Sequence, residues 1–298
     1  MRYESILQTI GHTPLVRINK IWNDPKVEIW AKLEGWNPMG SVKERPALWI
    51  VEGAERDGSL VKGMTILESS SGNTGIGLAL VGAVKGYPVT IVMPQKVSRE
   101  RRQILRALGA EIVFTSEKGG SDEAWEIAER LARENPTKYF YAQQYSNKNN
   151  TLSHFEGTAM EIWDDMKGDV DVATVTLGTC GTIMGLSHRL KQLKPSTRIV
   201  AIEPQKAHHQ QGLRNMDESR KPDLLDWKWI DEKIVIEDEE AFDLARRLAS
   251  EEGIFSGISC GTALAGSIRV AKTMKQGKIV TIFPDRGEKY FSITLFPE

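Results

Sequence analysis

The sequence predicts an α/β fold in which strands and helices alternate, with a mostly parallel twisted sheet flanked by helices in each of two closely joined lobes. Three observations predict it. Short β-branched apolar runs alternate with helical patterns through nearly the whole chain. The connections are short and rich in Gly, Ser, Thr and Asn, the composition of βα turns. The 298 residues, 40% hydrophobic and 27% charged, suit a soluble chain of about two domains.

In order, Thr65–Ser69 reads as a strand, and residues 75–85 as a helix stopped by Gly86. Val89–Met93 is a strand ended by Pro94. Ser98 caps a helix running to Leu108, with Gly109 as its stop. Glu111–Phe114 is a strand, 124–134 a helix and 139–143 a strand. A second series follows: strand 172–177, helix 183–193, strand 198–202. Residues 205–229 are polar, irregular and rich in basic side chains, and unpatterned loops of that length are often functional. Residues 239–252 are helical, with Ala241, Leu244, Ala245 and Leu248 on one face. Residues 263–274 form a helix and 279–283 a strand.

Composition excludes several classes. Lys and Arg number 39 and Asp and Glu 40, a net charge of −1. That balance gives no basic excess for nucleic acid or a membrane surface. The longest apolar run, near Ile76 to Val84, falls well short of the roughly 20 residues of a membrane span. The start, Met-Arg-Tyr-Glu-Ser, lacks a secretory pattern. Two cysteines, Cys180 and Cys260, are too few for a disulfide framework and point to a reducing cytoplasm. The five histidines show no zinc-ligand spacing.

Two turns share one design of strand, small-residue loop and helix. One is Glu68-Ser69-Ser70-Ser71-Gly72-Asn73-Thr74-Gly75, the other Gly178-Thr179-Cys180-Gly181-Thr182. Each puts backbone N–H groups at a helix N-terminus, where the first donors lack intrahelical partners and the dipole favours an anion. Either loop alone is equally a plain tight turn. Neither carries the G-x-x-x-x-G-K-[ST] or G-x-G-x-x-G pattern, which disfavours an ATP or nicotinamide enzyme.

A third segment is Asn37-Pro38-Met39-Gly40-Ser41-Val42-Lys43-Glu44-Arg45. Ser41 and Glu44 stand at capping-box spacing, which predicts a helix start with Lys43 in its first turn. Pro46 argues for a start a few residues later. A helix N-terminus disfavours a cation and so favours a neutral amine, the form a Schiff-base lysine needs.

Together N-P-M-G-S-V-K-E-R, S-S-G-N-T-G, G-T-C-G-T and G-I-S-C-G resemble the cysteine synthases, the O-acetylserine sulfhydrylases that use pyridoxal 5′-phosphate. The opening T-I-G-H-T-P-L-V and the late P-D-R-G-E-K-Y fit the same pattern. The resemblance runs almost end to end and is strongest to the B-type enzymes, relatives of the cystathionine β-synthase core. It implies the two-domain fold type II of pyridoxal phosphate enzymes, similar to the tryptophan synthase β chain. Residues 46–144 would form the smaller domain, and 1–45 with 145–298 the larger.

The resemblance also implies roles. Lys43 matches the lysine that holds the cofactor as an imine and serves as catalytic base. Asn73 matches the asparagine at the ring hydroxyl. Gly178, Thr179, Cys180, Gly181 and Thr182 match the phosphate loop. Ser259 matches the serine at the pyridine nitrogen. Ser70, Ser71, Thr74 and Gln144 match the positions that bind the substrate α-carboxylate. Four positions depart from the family pattern. Glu44 stands for the usual Asp, Ser70 for a common Thr, Cys180 for Gly or Thr, and Cys260 for Ser or Thr. Both cysteines read better as small packing residues than as catalysts.

The reaction implied is β-replacement. An O-activated serine, by default O-acetyl-L-serine, and sulfide give L-cysteine by way of an aminoacrylate. A serine at the pyridine nitrogen does not hold a proton there as a carboxylate would. The weaker electron sink that results suits β-elimination better than aminotransfer, and leaves a dehydratase or racemase of the same fold open on this argument alone. Arg214, in the 205–221 loop, is a candidate for binding the phosphate of O-phospho-L-serine, against the reading of a solvated basic loop. Cystathionine β-synthase or cysteine desulfhydrase activity, and a non-catalytic binding module, are the rival readings. The 69–75 loop is a candidate lid over the substrate. Homodimer formation and a serine acetyltransferase partner follow from the resemblance alone.

Overall fold

The computed structural model describes residues 2–70, 72–116, 120–292 and 295–296. Ser71 lies outside them. Among the described residues, ten strands form two sheets. The chain begins with β1 (Leu15–Arg17) and β2 (Val27–Leu33), then enters α1 (Glu44–Asp57). The first βα series is β3 (Thr65–Ser69), α2 (Asn73–Lys85), β4 (Val89–Met93), α3 (Arg99–Ala107), β5 (Glu111–Phe114), α4 (Ser121–Glu134) and β6 (Tyr139–Tyr141). Two short helices, α5 (Lys148–Ser153) and α6 (Ala159–Asp165), flank a π-helical stretch, His154–Thr158, and lead to β7 (Val172–Thr176). The chain closes with α7 (Gly181–Leu193), β8 (Arg198–Pro204), β9 (Glu232–Ile236), α8 (Asp238–Glu252), α9 (Ile258–Ala271) and β10 (Gly277–Phe283).

The smaller sheet has the order β5-β4-β3-β6 and is parallel throughout. The larger runs β1-β2-β10-β7-β8-β9, parallel except for the β1–β2 pair. Parallel sheets need cover on both faces, and the cores show it. One cluster packs α8 and α9 (Leu244, Leu248, Leu264) on the larger sheet, and another packs α7 (Ile183, Leu186, Leu190) on it. A third joins α1 and α2 to the smaller sheet through Ile50, Ile76 and Ile91, and a fourth sets Ala124 and Ala128 of α4 against Leu67 and Val92.

The predicted α/β alternation is present, with differences at several ends. The strand expected to reach Gln143 stops at Tyr141, because Gln143 takes a left-handed backbone (φ 53°). That turn aims the next residue, Gln144, toward the cleft. Helix α9 starts at Ile258 rather than 263. Gly261 lets α9 touch α8, since a Cβ there would run into Ala241 O. Lys43, not Ser41, is the residue at the head of α1. Glu44 still folds back as its spacing suggests, accepting from Ser41 N–H and the Ser41 hydroxyl, both at 2.9 Å, and from Met39 N–H at 2.8 Å. Pro46 does not delay the helix, for it falls in the first turn, where N–H groups have no intrahelical partner.

Candidate functional site

The carboxyl ends of parallel strands are where open α/β sheets bind ligands, and here both sheets point those ends at one cleft of about 900 Å³. Ser70 follows β3, Gln144 follows β6, Gly178 follows β7 and Asp285 follows β10, and all four line it. Lys43 lies on the wall. Its position comes from α1 packing on α2, where Gly77 permits the approach: a Cβ there would meet Lys43 O at 2.9 Å. Val42 N–H donates to Pro284 O at 2.8 Å, tying the same segment to the end of β10.

Lys43 is half-buried, and among the described residues its amine has no hydrogen-bond partner. Burial lowers its pKa to about 8, with the Cys180 and Asp285 side chains pulling the other way. A lysine lowered this far supplies neutral amine near neutral pH. Reductive methylation of cofactor-free protein should show it by peptide mass spectrometry. Labelling of Lys43 should rise about tenfold per pH unit and level off above about 8, whereas surface lysines keep rising toward ~10.4.

The Gly178–Thr182 loop leads into α7. Among the described residues, none of its five backbone N–H groups donates to a protein acceptor. Five free donors at a helix head make an anion cradle. Cys180 holds a left-handed backbone (φ 65°), a conformation glycine takes without strain. Burial pushes its thiol up to about 12. The loop is braced from below by two contacts. Asn150 Nδ2 donates to Thr179 Oγ1 at 3.1 Å, and the Thr182 hydroxyl meets His154 Nε2 at 3.2 Å.

On the other side Ser70, Thr74 and Gln144 converge. The Thr74 hydroxyl donates to Gln144 Oε1 at 2.6 Å, Gln144 Nε2 donates to Ser69 O at 3.2 Å, and Ser70 Oγ accepts from Gly75 N–H at 3.1 Å. Beneath them Glu68 is fully buried, which pushes its pKa up to about 8 although Gln144 and Ser69 N–H groups donate to it. Ser259, near the start of α9, lines the cleft, and its hydroxyl has no protein partner among the described residues. Cys260 beside it points away, its Sγ 3.4 Å from Asp285 O. Arg214 also lines the cleft and donates to the Tyr145 hydroxyl at 2.9 Å.

The cleft is thus lined by Lys43, Ser70, Asn73, Thr74, Gln144, Gly178, Thr179, Cys180, Thr182, Arg214 and Ser259, while Gly181 lies within the same loop but not on the lining. The sequence reading missed Asp285 and Lys289, which bond Asn73, and Tyr290, which donates to Asp285, although the P-D-R-G-E-K-Y segment containing them was visible. It also missed Arg101, which is buried on the cleft wall and reaches across to Gln211 Oε1 at 2.6 Å.

The arrangement fits a flat cofactor with an aldehyde and a phosphate: a free amine, five unpaired N–H groups, and the side chains of Asn73 and Ser259 in the same cleft. Residues 6–285 match the family described as pyridoxal-phosphate dependent enzyme. The chain belongs to that family. This pyridoxal-phosphate-dependent enzyme is similar to "Cysteine synthase" of Aquifex aeolicus (strain VF5), 42% identical over 99% of this chain and 93% of the relative. It is 38% identical to "Cysteine synthase B" of Escherichia coli (strain K12), over 98% and 95% of the two chains. Among solved structures it resembles cysteine synthase (OASS) from Entamoeba histolytica, with a TM-score of 0.94, 40% identity, and 99% and 91% of the chains covered. These likenesses extend to the whole fold, so the enzyme has the fold type II architecture. No described helix is long and apolar enough to cross a membrane.

Proposed function

We propose that this enzyme makes L-cysteine from O-acetyl-L-serine and sulfide. The observation that carries this reading is Ser259, a neutral hydroxyl free to meet the pyridine nitrogen, placed in the same cleft as an unpaired lysine. Bound pyridoxal phosphate supplies the electron sink for negative charge at the substrate Cα. The N–H groups of residues 178–182 would hold its phosphate, and Asn73 and Ser259 would hold its ring. Ser70, Thr74 and Gln144, with Ser71 from the same loop, hold the substrate carboxylate through neutral donors. Lys43 takes the proton from Cα. The Cβ–O bond breaks, acetate leaves with the bonding pair, hydrosulfide adds at Cβ, and Lys43 returns the proton. Purified protein offered O-acetylserine, O-phosphoserine, serine and cysteine, each with sulfide or homocysteine, should give cysteine from O-acetylserine and sulfide fastest. Cystathionine or net sulfide release as the main product would overturn the reading.

One observation favours O-phospho-L-serine as a second acceptor. Arg214 faces the cleft with no salt bridge among the described residues, leaving guanidinium donors for a phosphate. Replacing it by Ala should lower O-phosphoserine turnover by about tenfold or more, the worth of a charge-assisted pair, and spare O-acetylserine. Equal losses on both substrates would sink this.

Residues 46–144 are proposed as the smaller domain, and 1–45 with 145–298 as the larger, a division supported by the membership of the two sheets. A cytoplasmic location is supported by two buried free thiols. A homodimer and a serine acetyltransferase partner rest on the resemblance, and sedimentation velocity of the enzyme with and without that partner checks both.

A further inference from the structure

Asn73 sits at the first position of α2 and lines the cleft. A carboxamide looks nearly the same when flipped, yet the two faces of this one meet opposite chemistry. Lys289 Nζ donates to Asn73 Oδ1 at 2.9 Å, and Asn73 Nδ2 donates to Asp285 Oδ2 at 2.7 Å. A flip would set the amide N–H against an ammonium and the amide oxygen against a carboxylate. Both contacts would change from attraction to repulsion, in a place with little water to screen them.

The two partners are themselves fixed. Both belong to the segment that follows β10. Lys289 is 5% exposed, and its ammonium also donates to Gly40 O at 3.3 Å. Asp285 is 3% exposed, forms a β-bridge with Ser41, and accepts from the Tyr290 hydroxyl at 2.8 Å through the same oxygen that Asn73 uses. A lysine so buried needs partners to justify its charge. The Asn73 oxygen and Gly40 O are the acceptors it has among the described residues.

We propose that Lys289 and Asp285 are positioning residues that lock the Asn73 carboxamide in one orientation, so that its second N–H faces the cleft as a donor to the ionised ring oxygen of the cofactor. This rests on the reading of Asn73 as the ring-oxygen contact. Neither residue touches the reacting atoms. Their effect on the cofactor passes through the amide of Asn73.

The test uses the visible absorption band of the holoenzyme, which reports the ionised ring oxygen, and cofactor affinity measured by titrating the apoprotein. Lys289→Met should move absorbance from the visible to the near-ultraviolet band and weaken cofactor binding by about tenfold, the worth of one charge-assisted hydrogen bond. Lys289→Arg should restore both. Asp285→Ala, which removes the oxygen that accepts from Asn73 Nδ2, should reproduce the spectral change and guards against a folding defect in the methionine variant. In an Asn73→Ala background, Lys289→Met should change neither spectrum nor affinity further. A Lys289→Met or Asp285→Ala protein with the parent spectrum and affinity would overturn the lock, as would an undiminished Lys289→Met effect without Asn73. Borohydride reduction separates the two failures. Label on Lys43 with unmoved spectra refutes the lock alone, whereas label on another residue in the parent protein refutes the reading beneath it.

Discussion

Changing Lys43 to alanine should lower turnover by about four orders of magnitude, the upper range for loss of a general base, while cofactor still binds. The structure separates these two properties. The five free N–H groups at the head of α7, the Asn73 amide and the Ser259 hydroxyl do not depend on Lys43. Ser70, Thr74 and Gln144 hold their positions through contacts with one another and with Ser69 O. The variant should therefore bind cofactor and amino acid but leave the Cα proton in place. Lys43→Arg makes the argument sharper. It keeps a cation of similar reach, but a guanidinium does not deprotonate in this pH range. If the neutral amine is what matters, arginine should be as inactive as alanine. Single-turnover kinetics with O-acetylserine would decide. An arginine variant retaining more than about a tenth of the activity would show that charge at position 43, not proton transfer, is what the reaction requires.

How much of this was legible in the sequence depends on whether the signal was local. Strands β3, β4 and β5 were readable to the residue because each is a short apolar run bounded by turn chemistry. The heads of α2 and α7 were readable as anion sites because small residues in a βα turn leave N–H groups free whatever the rest of the chain does. Strand β2 was not assigned, since Lys32 and Glu28 interrupt its apolar pattern. Lys32 is fully buried all the same, its ammonium donating to Thr13 O at 2.7 Å and paired with Glu161 at 3.0 Å. The π-helical stretch His154–Thr158 depends on how α5 and α6 pack on α7, which no local pattern encodes.

The site divided in the same way. Lys43, Asn73 and the phosphate loop announce themselves by neighbours in sequence. Asp285 and Lys289 act on Asn73 from more than 200 residues away. Only the crossing of β10 beside β2 and the return of the chain past Ser41 bring them there. Arg214 was chosen for its charge. The structure adds what sequence could not, that its guanidinium lies over the Tyr145 ring, 4.6 Å from the ring centroid, which fixes where its free donors point.

The largest loss of stability should come from Arg45→Met, about 3–5 kcal/mol, the usual result of removing one partner from a buried ion cluster. Arg45 is 4% exposed and Glu34 fully buried. The guanidinium meets Glu34 in a fork, Nε to Oε2 at 2.7 Å and Nη2 to Oε1 at 2.9 Å. It meets Glu161 in a second fork, Nη1 to Oε1 at 2.6 Å and Nη2 to Oε2 at 2.7 Å. Methionine fills similar volume but leaves Glu34 without an ion-pair partner among the described residues and Glu161 with Lys32, a cation it shares with Asp165. The urea midpoint should fall with the slope unchanged. The pH dependence identifies the cause. Burial alone would raise the Glu161 carboxyl, but hydrogen bonds and charge from Arg45, aided by Lys32, hold it far below the ordinary range. A depressed carboxyl contributes stability above its unfolded value of ~4.3, and that contribution is lost as pH falls through the folded value. The parent should therefore weaken in acid while the variant, which lacks that contribution, weakens less, so the deficit is widest near neutrality and narrows as pH falls below ~4. A deficit constant with pH would place the loss in packing rather than charge. Because Arg45 lies two residues beyond Lys43 in the first turn of α1, the same variant should also loosen the amine and lower turnover at temperatures where the protein is still folded.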